Sequence, residues 1–191
     1  MTIPPGERDD AALVAAALAG EDRAFTQFMA RHKQAIYRFV RRYAGDTDEA
    51  LDLVQETFVA AWSALGSFNA RWPAYVWLRR IALNKCRDWS RRRRVRQFFF
   101  TAKPLDPDAD QPAAIAAQDE SHAETAKLAQ LDAAIAALPN SLKEALLLTQ
   151  FEGLSHKEAG VQLGISAKAV ETRLYRARLA IAGALGVTPN E

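Results

Sequence analysis

The chain has 191 residues, 49% apolar and 25% charged, with a formal net charge of +2 and one cysteine. That length suits one domain or two small ones, and the apolar share can fill a core, which excludes a wholly disordered chain. A single thiol, Cys86, excludes a disulfide framework and a cysteine-based zinc cluster, and no apolar run approaches the ~20 residues that span a bilayer.

In chain order, the first predicted helix carries Phe25, Phe28, Met29, His32, Ile36, Phe39, Val40 and Tyr43 at steps of three and four, one apolar stripe. Gly45 followed by Asp46 stops it and opens a second helix with the stripe Leu51, Val54, Phe58, Ala61, Trp62 and Leu65. A third helix starts after Pro73 with Leu78, Ile81, Ala82, Cys86 and Trp89 inward. No segment alternates with period two. The expected fold is therefore all-α: a helical bundle over 9–100, an Ala-, Pro- and acid-rich linker over 101–130, and a helical C-terminal domain over 131–185. The linker lacks the apolar side chains that offset ordering entropy, although alanines in its last third can form a helix. Phe98, Phe99 and Phe100 read as an anchor folding back on the bundle.

The near-neutral total hides an asymmetry. Residues 71–100 carry ten Lys/Arg against Asp88 alone, a local +9, whereas 101–130 carry two cations against six acids, a local −4. A basic block of this density points to a polyanion. Within it Arg80, Arg87, Arg91 and Arg94 share one helix face, a rigid row suited to a phosphate backbone. Phe68, Trp72, Tyr75 and Trp77 lie at the helix entrance, and aromatic faces stack on unpaired bases. Trp77 and Trp89 read as core; for Trp72, core packing and base stacking fit the pattern equally.

The sharpest local pattern runs from Gly153 to Arg178. Ser155 and Glu158 form a Ser-x-x-Glu capping box, Gly164 supplies a tight turn, and Ser166 caps a second helix with Val170, Leu174 and Ala177 inward. This is a helix-turn-helix, whose second helix offers Lys168, Glu171, Thr172, Arg173, Tyr175, Arg176 and Arg178 to a major groove. Arg173 and Arg176 are the strongest individual candidates; Glu171 either orients an arginine or accepts from a cytosine amine.

Asp48, Asp52 and Glu56 recur every four residues on the second helix, with Gln55 beside them. Such a row holds a metal only when ligands converge from several helices, so a solvated or protein-docking face is the better reading. No glycine-rich phosphate loop or nucleophile elbow occurs, no cofactor or metal is expected, and an enzyme is not expected. His32 reads as packed within its stripe.

Three motifs in this order resemble the extracytoplasmic-function (ECF) sigma factors of bacterial RNA polymerase: Asp48 to Phe58, Phe68 to Arg94, and Gly153 to Arg178. The resemblance covers roughly 21–97 and 131–183. It implies that Asp48, Asp52, Gln55, Glu56 and Phe58 dock on the clamp helices of the largest core polymerase subunit. It implies that the loop Ser67–Trp72, with Phe68, Asn69, Arg71 and Trp72, captures a flipped base of melted minus-ten DNA, Asn69 foremost. Arg80, Asn84, Arg87, Arg91 and Arg94 would follow the adjoining strand. Ser166, Lys168, Glu171, Thr172, Arg173, Tyr175 and Arg176 would read the duplex minus-thirty-five element, with the Leu146–Phe151 helix near the polymerase flap. A cytoplasmic location without membrane insertion and control by an anti-sigma factor, of a kind that can be membrane-anchored, are also implied. The chain departs from the family's usual pattern at Arg71-Trp72-Pro73, at Ala74 and at Glu171. Two other classes remain open from residues alone: a dimeric helix-turn-helix regulator acting without polymerase, and a metal-dependent nuclease using Asp48, Asp52 and Glu56.

Overall fold

The computed structural model describes residues 8–101 and 120–187. All regular structure among them is helical. The helices are α1 (Asp10–Leu18), α2 (Asp22–Ala44), α3 (Thr47–Ser63), α4 (Ala74–Thr101), α5 (Glu120–Ala137), α6 (Asn140–Leu146), α7 (His156–Leu163) and α8 (Ala167–Ala184). A 3₁₀ turn, Leu65–Ser67, follows α3, and a π turn, Leu147–Phe151, follows α6. The chain divides into two compact units, 1–87 and 88–191, with the division inside α4.

In the first unit α2 packs on both α1 and α3. The stripe expected on α2 is its inner face: Phe28, Ile36, Phe39, Val40 and Tyr43 are almost wholly buried, each side chain stabilising the fold by ~1.5–3 kcal/mol. Gly45 ends the helix in the left-handed region at φ 79°, and the Asp46 carboxylate then accepts from Glu49 N at 2.9 Å to start α3. The inner face of α3 is Ala50, Leu53, Val54, Thr57, Phe58 and Ala61. Leu51 and Trp62, expected in that stripe, lie on the other side, 43% and 42% exposed. Trp62 still covers the core edge, its ring 4.9 Å from that of Phe25.

Helix α1 is an addition to the three helices expected here. Asp9 caps it, accepting from Ala12 N at 2.7 Å, and Leu13, Val14 and Ala17 are buried. A polar clasp fixes it to α2: Asp10 receives Arg31 Nη1 at 2.7 Å and lies 3.0 Å from His32 Nε2. Burial lowers the His32 pKa, and Asp10 opposes that shift only in part.

In the second unit α8 is the spine, contacted by α5, α6 and α7. Ile135, Leu146, Leu147, Leu148, Ala159, Val170, Leu174 and Ala177 form its core. The buried Lys143 ammonium donates to the Ala136 carbonyl near the end of α5, tying α6 to it. Helix α5 begins at Glu120, so ordered helix occupies the last third of the segment read as linker; the rest of that linker, 102–119, lies outside the described residues. Phe98, Phe99 and Phe100, expected as a fold-back anchor, lie in helix. Their backbone continues α4 to Thr101, and the Phe99 side chain is 69% exposed.

Candidate nucleic-acid interface

The helix-turn-helix is built by its caps. Ser155 Oγ accepts from Glu158 N while Glu158 Oε2 accepts from Ser155 N at 2.9 Å, a reciprocal box opening α7. Gly164 closes α7 at φ 69°, and Ser166 Oγ accepts from Ala169 N at 3.1 Å to open α8. Gly160 is a structural residue that the sequence reading passed over. A Cβ there would lie 2.7 Å from the Ile165 carbonyl oxygen, so only glycine lets α7 come this close to the turn.

With Val170, Leu174 and Ala177 buried, α8 turns Lys168, Glu171, Thr172, Tyr175 and Arg176 outward, Tyr175 at 64% exposure. Arg173 sits at the flank and is half-buried. Glu171 orients no arginine as read from the sequence; it accepts from Lys168 Nζ at 3.0 Å, one turn earlier. The Ser166 hydroxyl is engaged in capping, and Arg178 reaches back to Gln150 Oε1 at 3.3 Å, holding the π turn.

Helix α4 presents Arg80, Asn84, Arg87, Arg91 and Arg94 at steps of four, three, four and three, one continuous face. All but the half-buried Arg87 are exposed. Arg79 and Arg93 belong to other faces, lying over the Tyr75 and Trp89 rings at 5.6 and 5.2 Å. Before α4, the loop is pinned by Phe68, whose ring meets Trp77 edge-on at 5.5 Å. Phe68 is thus an anchor and its ring face is in part used within the fold. Asn69 Oδ1 accepts from Arg71 N at 3.0 Å, which leaves the amide nitrogen for a base. Trp72 is 65% exposed, which removes the core alternative for it.

The outer face of α3 combines acids with apolar side chains. Asp48, Asp52 and Gln55 are exposed, Glu56 is half-buried with a loose 3.8 Å pair to Lys85, and Leu51, Val59 and Trp62 lie among them. Phe58 does not join this face: it is 6% exposed and packs in the core. Among the described residues no group of His, Cys, Asp or Glu is arranged to hold a metal, and the acids of α3 fan along one helix rather than converging.

Residues 28–96 match the Sigma-70 region 2 family and residues 128–181 the Sigma-70 region 4 family. The RNA polymerase sigma factor NccH of Alcaligenes xylosoxydans xylosoxydans is 39% identical over 88% of this chain and 90% of its own. CnrH of Cupriavidus metallidurans is 39% identical over 94% and 95%. The chain belongs to the ECF RNA polymerase sigma factors. The solved structure of CnrH in complex with the cytosolic domain of CnrY superposes on this sigma factor with a TM-score of 0.60, at 34% identity, covering 91% of this chain and 95% of that one. The sigma factor RpoE of Bartonella quintana, in complex with the anti-sigma factor NepR, gives 0.64 at 25% identity, covering 86% and 98%. Neither matched family is a catalytic one, and no helix among the described residues of this sigma factor is long and apolar enough to cross a membrane.

Proposed function

We propose that this sigma factor carries core RNA polymerase to promoters and opens them through three surfaces, acting in the cytoplasm without chemistry of its own. Asp48, Asp52, Gln55 and Glu56, with Leu51, Val59 and Trp62 as apolar anchors, dock on the clamp helices of the largest subunit. Such a mixture suits a protein partner, since apolar contacts supply affinity and charges supply register. Trp72 and Asn69 take up an unpaired minus-ten base while Arg80, Asn84, Arg87, Arg91 and Arg94 follow the phosphates. Flipping a base costs a few kcal/mol, and stacking on one aromatic side chain returns ~1–3 kcal/mol. Lys168, Glu171, Thr172, Tyr175 and Arg176 read the minus-thirty-five duplex, with Arg173 at the flank and the Leu147–Phe151 turn near the flap. Each small unit binds weakly, and a shared polymerase scaffold raises its effective concentration.

The observation that carries this reading is the exposed Trp72 in the loop that leads into the arginine row of α4, in a chain that also holds a fully capped helix-turn-helix. Relatives solved with CnrY and with an anti-sigma factor support control of this chain by an inhibitor of that kind, here proposed to be membrane-anchored and released by a stress or environmental signal. Transcription in vitro with purified core polymerase and a genomic promoter pool tests the reading. Discrete transcripts that need this protein are expected; their absence from every template would overturn it.

A further inference from the structure

Helix α2 has a second face that none of the three surfaces uses. Over its whole length the helix carries six Lys/Arg (Arg23, Arg31, Lys33, Arg38, Arg41 and Arg42) against Asp22 alone, a formal +5. The neighbouring α3 holds four acids and no cation, a formal −4. Opposite the buried stripe, Arg23, Gln27, Gln34, Arg38 and Arg41 recur at steps of four, seven, four and three, the same heptad rule that aligns the α4 row. Arg23, Gln27, Gln34 and Arg38 are exposed and Arg41 is half-buried. Among the described residues no acid forms an ion pair with Arg23, Arg38 or Arg41, whereas Arg31 is held by Asp10.

We infer that this face of α2 is a further binding site for the phosphodiester backbone of duplex promoter DNA, an inference that rests on the sigma-factor reading above. Three features point to that ligand. A merely solvated helix face alternates its charges to gain i,i+4 pairs, whereas here like charges stand at i,i+3 in Arg38 and Arg41 and the acids are gathered on α3. A face for a protein carries exposed apolar anchors, as α3 does, and α2 contributes no large exposed apolar side chain. A face for unpaired bases carries open aromatics, and the one aromatic near this row, Tyr37, is half-buried. What remains is arginine interleaved with glutamine amides, the donor set that meets phosphate oxygens. From Arg23 to Arg41 the row is ~27 Å long at ~1.5 Å per residue, long enough to meet phosphates at more than one point along a winding duplex.

The test uses holoenzyme reconstituted from the full chain and core polymerase, binding a duplex promoter and the same promoter premelted, at 50 and 200 mM salt. Arg23→Gln with Arg38→Gln removes two contacts at exposed helix positions that glutamine tolerates. The slope of log K against log salt is expected to fall by about 1.8, so that wild type loses about 12-fold more affinity over this range than the double variant. Core affinity stays unchanged, and the double lysine variant keeps the wild-type slope. An unchanged slope, a loss of core affinity instead, or an effect confined to the premelted template overturns the inference. Wild-type holoenzyme that binds no promoter at all overturns the sigma-factor reading and this inference with it.

Discussion

Two glycine-to-alanine changes in the same C-terminal unit should move stability in opposite directions. Both Gly160 in α7 and Gly183 in α8 sit within helices, where alanine is favoured over glycine by ~0.8–1 kcal/mol. At Gly183 nothing lies within 4 Å of the added Cβ, so that gain is kept, somewhat reduced in a last turn: about 0.5–1 kcal/mol of added stability. At Gly160 the new methyl meets the Ile165 carbonyl oxygen at 2.7 Å, with Ala167 N and Ser166 C both at 3.4 Å. All three are backbone atoms, so no side chain can swing aside and the turn itself must move. Overpacking of this kind costs ~1–3 kcal/mol, which outweighs the propensity gain and leaves a net loss of up to about 2 kcal/mol. The displaced segment includes Ser166 and the start of α8, so minus-thirty-five binding should fall further than stability does. Chemical unfolding of the full chain followed by circular dichroism measures the first effect, and holoenzyme binding to a duplex promoter the second. A Gly160→Ala protein as stable as the Gly183→Ala protein would refute the close-approach argument.

Arg176→Ala should weaken promoter binding by holoenzyme by ~1–3 kcal/mol if its guanidinium meets a base edge, with core affinity intact in a parallel pull-down; equal losses in both would contradict its assignment. Asp52→Ala or Gln55→Ala should weaken core binding without altering thermal stability, because both side chains are exposed on α3, and an unchanged pull-down would remove α3 as the docking face. His32 supplies a pH test. Its folded pKa lies below the unfolded value near 6.5, so the unfolded chain binds the extra proton first and stability falls as pH drops below about 6.5. Replacing His32 by Asn should shrink the difference in Tm between pH 7.5 and pH 5.5; a difference as large as in wild type would show that other groups carry it.

The sequence made legible whatever depends on periodicity or on a turn with chemistry of its own. The α2 stripe needed only its spacing, and the Gly45-Asp46 break and the caps at Ser155 and Ser166 each follow from one backbone requirement. Helix α1 escaped because its run Asp10 to Leu18 is apolar almost all round and shows no stripe; its place depends on Asp10 meeting Arg31 and His32, over twenty residues away. On α3 apolar residues stand on both sides, so spacing puts Leu51 and Trp62 in one stripe with Phe58; burial keeps Phe58 in the core and turns Leu51 and Trp62 out, and it is the family resemblance, not the spacing, that sets Phe58 on the docking face. Exposure in the loop before α4 follows no period: Trp72 became assignable only from its placement, and Phe68 only from its contact with Trp77. Of the two roles the sequence leaves open for Glu171, orienting an arginine gives way to pairing with Lys168, its neighbour at i−3 on the helix.

In the proposed function a basic helix and the exposed tryptophan just before it open DNA while a separate capped module holds intact duplex. Permanganate footprinting of holoenzyme on a promoter drawn from the pool separates the two roles. Reactive thymines are expected around minus ten with wild type, and Trp72→Ala should abolish them while protection of the upstream element persists. Melting that survives in Trp72→Ala at the wild-type level would show that Trp72 takes no part in opening.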